Sequence, residues 1–300
     1  MSSILSINNI AKSYGPIKAL NGVSFDVPQG SVFGVLGPNG SGKTTLLGIL
    51  MDVLKADSGD YNWFGGMPAD AARKKIGCLL ETPNFYHYMS AYDNLAITAA
   101  LRGHGENDRL RVLELVGLLE RKDSKFQTFS LGMKQRLAIG AALLSSPGIL
   151  VLDEPTNGLD PAGIAEIREL IRNLNKQGIT IIIASHLLDE VEKVCTHVAI
   201  LKRGNLLLHG PVNEVLVNED QLEVMAADMD ALQQAMGEMP GVKKIQKADR
   251  TLQLSFNNDI DAAAVNSYAA ARGITLSHLY IKKKSLETKF MELVGTEDKR

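Results

Sequence analysis

The sequence has few cysteines and almost no net charge. Its two cysteines, Cys78 and Cys195, lie far apart in a chain of 300 residues. This arrangement fits neither a disulfide framework nor a cysteine metal cluster, and it favours a reducing cytosol. The formal net charge is -2, whereas nucleic-acid-binding chains usually carry a clear basic excess. We therefore expect no nucleic-acid partner.

The sequence also lacks any run with the length and composition of a membrane segment. Its first residues, MSSILSINNIAKSYG, do not combine a basic segment with an apolar run, so we expect no signal peptide. The most apolar stretch, 137–152, is interrupted by Ser145, Ser146, Pro147 and Gly148. It falls short of the roughly 18 uninterrupted apolar residues that indicate a spanning helix. A role at a membrane would therefore require a partner that crosses it.

What is present is an alternation of strand-like and helix-like segments from residue 4 to about 217. Short apolar runs at 32–36, 149–152 and 180–185 are typical of strands buried on both faces of a mostly parallel sheet. The predicted helices cover 43–51, 92–102, 131–144, 161–175 and 187–194. Together these segments predict an α/β fold. The first segments, up to about residue 30, instead read as antiparallel strands joined by Gly- and Pro-marked turns.

The pattern changes after residue 217. Here the sequence predicts strand, helix, strand, strand, helix and strand, which is the order of a ferredoxin-like α+β domain. These elements are assigned to 222–227, 229–239, 242–247, 251–256, 259–271 and 274–281, with a hairpin turn at 248–250 and a last helix at 285–294. We therefore predict two domains, 1–217 and 218–300.

The segment GPNGSGKTT (37–45) follows an apolar strand and opens a helix, which is the context of a P-loop that binds nucleoside triphosphates. Its glycines let backbone N–H groups turn toward phosphates, and the helix N-terminus adds a favourable dipole. We expect Lys43 to reach the β- and γ-phosphates and the Thr44 hydroxyl to bind Mg²⁺. The alternative is a Gly-rich turn that matches by coincidence. The predicted nucleotide-binding residues in this segment are Gly37, Pro38, Asn39, Gly40, Ser41, Gly42, Lys43, Thr44 and Thr45.

A second motif, ILVLDEP (149–155), ends a buried strand with two acids. Asp153 is placed to hold Mg²⁺ through water, and Glu154 to orient and deprotonate the attacking water. Two acids that simply end a strand are the alternative. Downstream of a P-loop, the catalytic interpretation is favoured.

The segment FSLGMKQRL (129–137) resembles the signature motif of the ABC ATPases. It differs from the common LSGGQ form at three of five positions but keeps Ser130 and Gly132. The resemblance implies that these two residues grip the γ-phosphate of ATP held by another subunit, and a helix N-terminus is a suitable anion site. The alternative is a serine that only caps an ordinary helix.

The remaining motifs follow in family order. Asn157-Gly158-Leu159-Asp160 resembles the D-loop, which implies that Asp160 links two ATP sites across a dimer, and His186 resembles the switch histidine that senses the γ-phosphate. Tyr14 resembles the aromatic residue that stacks on adenine, with a turn residue covering the core as its alternative. Glu81 stands where the family usually has a glutamine that contacts Mg²⁺, and a carboxylate there adds negative charge near phosphate.

The resemblance covers about residues 4–217 and identifies the chain as a member of the ABC ATP-binding subunits. It implies a P-loop NTPase core with an antiparallel β subdomain and an α-helical subdomain, followed by the ferredoxin-like domain. It also implies hydrolysis of ATP with Mg²⁺ by a head-to-tail homodimer. The C-terminal segment is similar to the region found in bacterial drug, peptide and gliding-motility subunits, where it would support the dimer, regulate turnover or bind a ligand.

The same resemblance implies a membrane permease as partner. The aromatic-rich segment Pro83–Leu95 is the candidate docking surface, although core packing explains any single aromatic equally well. The subunit would lie on the cytoplasmic face of the membrane, and the motif variants favour export. The alternatives are a non-transport ABC ATPase and an ATP-driven regulator that acts on a soluble partner.

Overall fold

The computed structural model describes residues 2–80, 82–215, 221–248, 250–256, 261–282 and 290. The chain divides into two compact units, Met1–Val212 and Asn213–Arg300. The predicted boundary between residues 217 and 218 lies outside the described residues, as do Glu81 and nearly all of the predicted last helix at 285–294. None of the helices within the described ranges is both long and apolar enough to span a bilayer.

The first unit contains two sheets and a set of helices. Its strands are β1 (Ser3–Tyr14), β2 (Ile17–Pro28), β3 (Val32–Leu36), β4 (Ser58–Trp63), β5 (Ile76–Leu79), β6 (Ile149–Asp153), β7 (Thr180–Ser185), β8 (His197–Lys202) and β9 (Asn205–Pro211). Its helices are α1 (Lys43–Leu50), α2 (Ala69–Arg73), α3 (Ala91–Arg102), α4 (Arg109–Leu115), α5 (Leu131–Leu143), α6 (Pro161–Lys176) and α7 (Leu188–Glu192), and α8 (Val212–Val215) follows β9.

The larger sheet has the order β5-β6-β7-β3-β8-β9. Its strands pair in parallel except at the edge, where β8 and β9 are antiparallel. Every residue of β3, β6 and β7 is buried, which confirms the expectation from their continuous apolar runs. Leu36 pairs with Ser185, and Asp153 pairs with Ala184. The carboxyl ends of these strands therefore meet at one edge of the sheet, the usual place for a ligand in such folds.

The smaller sheet of the first unit is antiparallel, with the order β2-β1-β4, as predicted for the first segments. The helices α3, α4 and α5 pack against one another and form the predicted helical subdomain. Cys195 is buried, and burial raises the pKa of its thiol. Neither cysteine forms a disulfide.

The predicted helix bounds needed small corrections where caps and tertiary hydrogen bonds act. Helix α3 begins at Ala91 because the Ser90 hydroxyl accepts the Asp93 N–H at 3.0 Å. The prediction of a helix over 187–194 was too long, since α7 ends at Glu192. The chain must then return to the sheet, where the Thr196 N–H donates to the Val32 carbonyl at 2.8 Å.

The second unit has the predicted order of elements. They are β10 (Gln221–Ala226), α9 (Met229–Gly237), β11 (Val242–Ala248), β12 (Thr251–Phe256), α10 (Ala262–Ala270) and β13 (Leu276–Lys282). The sheet order is β11-β12-β10-β13 with antiparallel pairing throughout, which is the ferredoxin-like topology. Leu222 and Leu254 of the sheet share a core with Met236 and Val265 of the helices. Helix α10 begins after Asp261, which caps it, and the predicted start at residue 259 lies outside the described residues.

Candidate functional site

The P-loop links the carboxyl end of β3 to the first turn of α1. Lys43 is buried, and its Nζ donates to the carbonyl oxygens of Gly37 at 2.9 Å and Pro38 at 3.3 Å. The loop lies close to its neighbours, because a Cβ on Gly42 (φ 107°) would come within 2.4 Å of the Ala19 carbonyl oxygen. Only glycine fits that conformation and that approach.

An open cleft of about 580 Å³ lies beside this loop. It brings Tyr14 together with eight further residues of the first unit that the P-loop and catalytic motifs predict. Gly37 and Pro38 do not line the cleft, and they contribute to the loop through the carbonyl groups that hold Lys43. The predicted residues that line it are Tyr14, Asn39, Gly40, Ser41, Gly42, Lys43, Thr44, Thr45 and Glu154.

Glu154 is the centre of the polar contacts at the sheet edge. Its Oε1 lies 3.4 Å from Lys43 Nζ, and its Oε2 lies 2.8 Å from His186 Nδ1. The His186 backbone N–H also points at Oε2, at 3.4 Å. Glu154 has a φ of 47°, a left-handed conformation that non-glycine residues adopt at a cost and that clusters at functional sites. The carboxylate thus connects the P-loop to the end of β7.

The segment that carries His186 is held to the helix behind it. Arg168 of α6 forms an ion pair with Glu190 of α7 at 2.8 Å, and Lys193 donates to the same carboxylate at 2.7 Å. The hydrogen bond from Lys193, aided by Arg168, keeps the pKa of Glu190 below its usual value. These contacts fix α7 directly after His186.

The predicted Mg²⁺ ligands occupy different settings. Asp153 ends β6 and is only 4% exposed, whereas Thr44 is exposed in the first turn of α1. Both lie at the carboxyl edge of the sheet, and both offer oxygen atoms, which Mg²⁺ prefers. The third predicted ligand, Glu81, lies outside the described residues.

Ser130, Gly132 and Asp160 do not line the cleft of their own chain. The Ser130 hydroxyl accepts the Met133 N–H at 3.3 Å and caps α5, and Asp160 Oδ1 accepts the Gly163 N–H at 2.8 Å and caps α6. Within its own chain, Ser130 is therefore the N-cap of α5. Gly132 lies in the first turn of α5. No atom lies within 4 Å of the position that a Cβ on this residue would occupy.

Sequence reasoning missed four residues that line the cleft, namely Ile17, Lys18, Ala19 and Arg203. The first three follow Tyr14 closely, and their position in the chain was the available signal. Arg203 lies about 160 residues beyond the P-loop, in the turn between β8 and β9. The Arg203-Gly204 pair marks a turn, but nothing in the sequence indicates where that turn packs.

A glycine-rich loop between a buried parallel strand and a helix, with an acidic residue and a histidine at the same sheet edge, defines a P-loop nucleoside triphosphatase. The model of the family described as ABC transporter matches residues 20–157. The bacitracin transport ATP-binding protein BcrA of Bacillus licheniformis is 36% identical over 301 residues, which cover 98% of this chain and 98% of BcrA. The chain belongs to the ABC transporter ATP-binding proteins.

Two further similarities agree with this assignment. The lantibiotic transport ATP-binding protein SrtF of Streptococcus pyogenes is 42% identical over 205 residues, which cover 68% of this chain and 90% of SrtF. The dimeric ATP-binding cassette MJ0796, in a post-hydrolysis state with ADP and Pi, matches with a TM-score of 0.61 and 25% identity over 69% of this chain and 98% of that one.

These comparisons confirm the predicted family, its fold class and its ATPase activity. The protein is the ATP-hydrolysing subunit of an ABC transporter. They favour the transport interpretation over a non-transport ATPase or a regulator of a soluble partner.

Proposed function

We propose that two copies of this chain close around two ATP molecules and thereby drive an export permease. In each site the P-loop of one copy would face Ser130 and Gly132 of the other. The observation that carries this proposal is the separation of the predicted ligands within one chain. Lys43 and Glu154 line the cleft, while Ser130 and Gly132 lie outside it, at a helix N-terminus suited to a phosphate. Asp160 would lie between the two sites.

The chemistry follows from the contacts of Glu154. When ATP enters, Lys43 exchanges its carbonyl partners for the β- and γ-phosphates, and Tyr14 stacks on adenine. Glu154 then accepts a proton from a water molecule whose oxygen bonds to the γ-phosphorus, while the bond to the ADP oxygen breaks. His186, already 2.8 Å from the carboxylate, orients Glu154 and contacts the γ-phosphate. Phosphate and ADP then leave, and the dimer reopens.

The donor set at the sheet edge fits Mg²⁺. The Thr44 hydroxyl and the Asp153 carboxylate would hold the ion, and we propose Glu81 as a further oxygen ligand. Bound there, Mg²⁺ would neutralise part of the charge on the β- and γ-phosphates. An acidic residue at position 81 would bind the cation more strongly than the usual amide, while adding negative charge near the phosphates.

The proposed docking surface for the permease is Pro83–Leu95 together with the facing side of α3. Phe85 packs edge-on against the buried Phe126 at 5.2 Å between ring centroids, so it anchors the segment to the helical subdomain. Tyr88 is 68% exposed, and Leu101 of α3 is 84% exposed. Phe85, Tyr86 and Leu101 line a groove of about 370 Å³, and the Tyr88 ring lies 6.0 Å from the Tyr86 ring between centroids. A groove that combines aromatic and aliphatic side chains with polar ones suits an amphipathic cytoplasmic helix of a membrane subunit.

Asn94 holds this surface in shape. Asn94 is 1% exposed. Both its amide oxygen and its amide nitrogen form hydrogen bonds with the backbone of the preceding segment. Its Oδ1 accepts the Tyr86 N–H at 2.8 Å, and its Nδ2 donates to the carbonyl oxygens of Tyr86 at 3.1 Å and Ser90 at 2.9 Å. Asn94 is therefore a positioning residue for the docking segment, because no other described side chain makes this set of bonds.

Tyr88→Ala and Asn94→Ala are expected to uncouple ATP hydrolysis from transport. We expect permease-stimulated hydrolysis and substrate transport to fall on the order of tenfold in proteoliposomes, since exposed aromatic anchors contribute much of the energy of such contacts. Hydrolysis by the isolated subunit measures whether its own ATP site is intact. The matched control is Tyr280→Ala, which removes a tyrosine of the second unit that is also more than half exposed. Intact coupling in Tyr88→Ala would reject this surface.

The names of the relatives suggest the substrate class. BcrA is named for bacitracin and SrtF for a lantibiotic, so we propose that the transporter exports a peptide antibiotic from the cytoplasmic face of the cell membrane, where this subunit is held by the permease. The test is to express the chain with its permease in a sensitive host and to measure the inhibitory concentration of bacitracin and of a lantibiotic. Resistance that depends on both subunits is expected. Unchanged sensitivity to both would contradict the substrate class.

A further inference from the structure

The turn between β8 and β9 contains an arginine in a conformation that arginine does not favour. Lys202 pairs with Asn205, so Arg203 and Gly204 form a two-residue hairpin turn. Their φ angles are 47° and 79°. A two-residue turn with both φ angles positive is of type I′, for which Asn-Gly is the preferred sequence. The conformation of the turn therefore does not explain why residue 203 is an arginine.

The turn is fixed directly to the P-loop. The Gly204 N–H donates to the Ser41 carbonyl at 3.0 Å, and the Gly204 carbonyl accepts the Asn21 N–H at 2.8 Å. A Cβ on Gly204 would come within 2.9 Å of the carbonyl oxygens of Lys18 and Ala19. The backbone that carries Arg203 thus has a defined position relative to the phosphate-binding loop.

The Arg203 side chain is exposed and lines the nucleotide cleft. Within the described ranges, its guanidinium makes no hydrogen bond or ion pair. The charge of Lys43 is partly matched by Glu154 and by two carbonyl oxygens. A polyphosphate in this cleft would therefore meet an arginine that is already positioned and has no competing partner. Guanidinium groups bind phosphate oxygens through charge-assisted hydrogen bonds.

We propose that Arg203, which lines the cleft from the turn between β8 and β9, binds the phosphate groups of the nucleotide in addition to the P-loop contacts. The unfavourable turn conformation is retained because it presents this side chain to the cleft. The inference rests on the nucleotide site proposed above. It assigns Arg203 to the phosphates and not to adenine.

The test is Arg203→Asn in the full chain, because Asn-Gly suits the turn. We expect the melting temperature without nucleotide to equal or exceed that of the wild type, while the Kd for ADP, measured by calorimetry, rises on the order of tenfold. The Kd for adenosine, which has no phosphate, should not change. Arg203→Lys should retain part of the affinity because it keeps the charge. The matched control is Arg250→Asn, which removes an exposed arginine directly before β12 in the second unit.

An unchanged Kd for ADP in Arg203→Asn would overturn the proposal. An equal loss for ADP and adenosine would overturn it as well, since the contact would then be to the nucleoside. Failure of the nucleotide site itself gives a different result, because the wild-type chain would then bind no ADP.

Discussion

Replacing Glu154 by glutamine is expected to lower kcat for ATP hydrolysis on the order of a hundredfold or more, while ATP still binds. Glutamine matches glutamate in size but cannot accept the proton from the attacking water. Its amide can still contact Lys43 and His186, which lie 3.4 Å and 2.8 Å from the carboxylate oxygens, so the cluster should keep its shape. Single-turnover hydrolysis measures the chemical step, and calorimetry with ATP measures binding.

The same variant should accumulate as a closed dimer. If hydrolysis reopens the dimer, a chain that binds ATP without cleaving it should elute as a dimer on size-exclusion chromatography with ATP and as a monomer without it. Glu120→Gln is the matched control, since Glu120 is an exposed glutamate in the helical subdomain. Hydrolysis near the wild-type rate in Glu154→Gln would show that another group accepts the proton.

His186 provides an internal check on this assignment. If it acts by orienting Glu154, then His186→Ala should lower kcat by itself, whereas its addition to Glu154→Gln should cost little more. Residues that act as one unit show this non-additivity. A double variant that is slower by the product of the two single effects would instead indicate that His186 acts independently on the phosphate.

Much of the fold and part of the site could be predicted from the sequence because they depend on local signals. Nearly continuous apolar runs at 32–36, 149–152 and 180–185 become buried parallel strands, and chain order then brings the P-loop, Glu154 and His186 to one sheet edge. The ferredoxin-like order after residue 220 could also be predicted. In its strands β10 and β12, buried residues such as Leu222 and Leu254 alternate with more exposed ones. In each case a periodic pattern determines which face is buried.

The remaining features depend on contacts between segments that are distant in the chain. Arg203 reaches the cleft only because Gly204 bonds to Ser41, some 160 residues away, and no local pattern encodes that contact. Asn94 looks like an ordinary polar residue near the start of a helix. Its role becomes clear only when the preceding aromatic segment folds back onto it. Helix ends were imprecise for a related reason, because caps and returns to the sheet determine them.

A mixture of Lys43→Ala and Gly132→Asp chains is expected to hydrolyse ATP, although neither variant does so by itself. Lys43→Ala removes the ammonium group that binds the phosphates. Gly132→Asp places a negative charge where the signature would meet the γ-phosphate. The second change should not unfold the protein, since no atom lies within 4 Å of the new Cβ and an acid near a helix N-terminus is favourable.

The expected activity of the mixture follows from the composite site. A mixed dimer has one site with both defects and one site with none, because the intact P-loop of the Gly132→Asp chain faces the intact signature of the Lys43→Ala chain. With random pairing, half of the dimers are mixed, so activity should reach about a quarter of the wild-type rate if the two sites act independently. If each site were built within one chain, every site in the mixture would carry a defect and activity would stay near zero.

The matched control places both substitutions in one chain and mixes it with the wild type. In a composite dimer, the mixed species then has one defect in each site, and only wild-type homodimers hydrolyse ATP, at about a quarter of the wild-type rate. Sites built within single chains would instead give about half, because every wild-type chain would remain active whatever its partner. A composite site therefore gives about a quarter of the wild-type rate in both mixtures, whereas sites built within single chains give almost none in the first mixture and about half in the second.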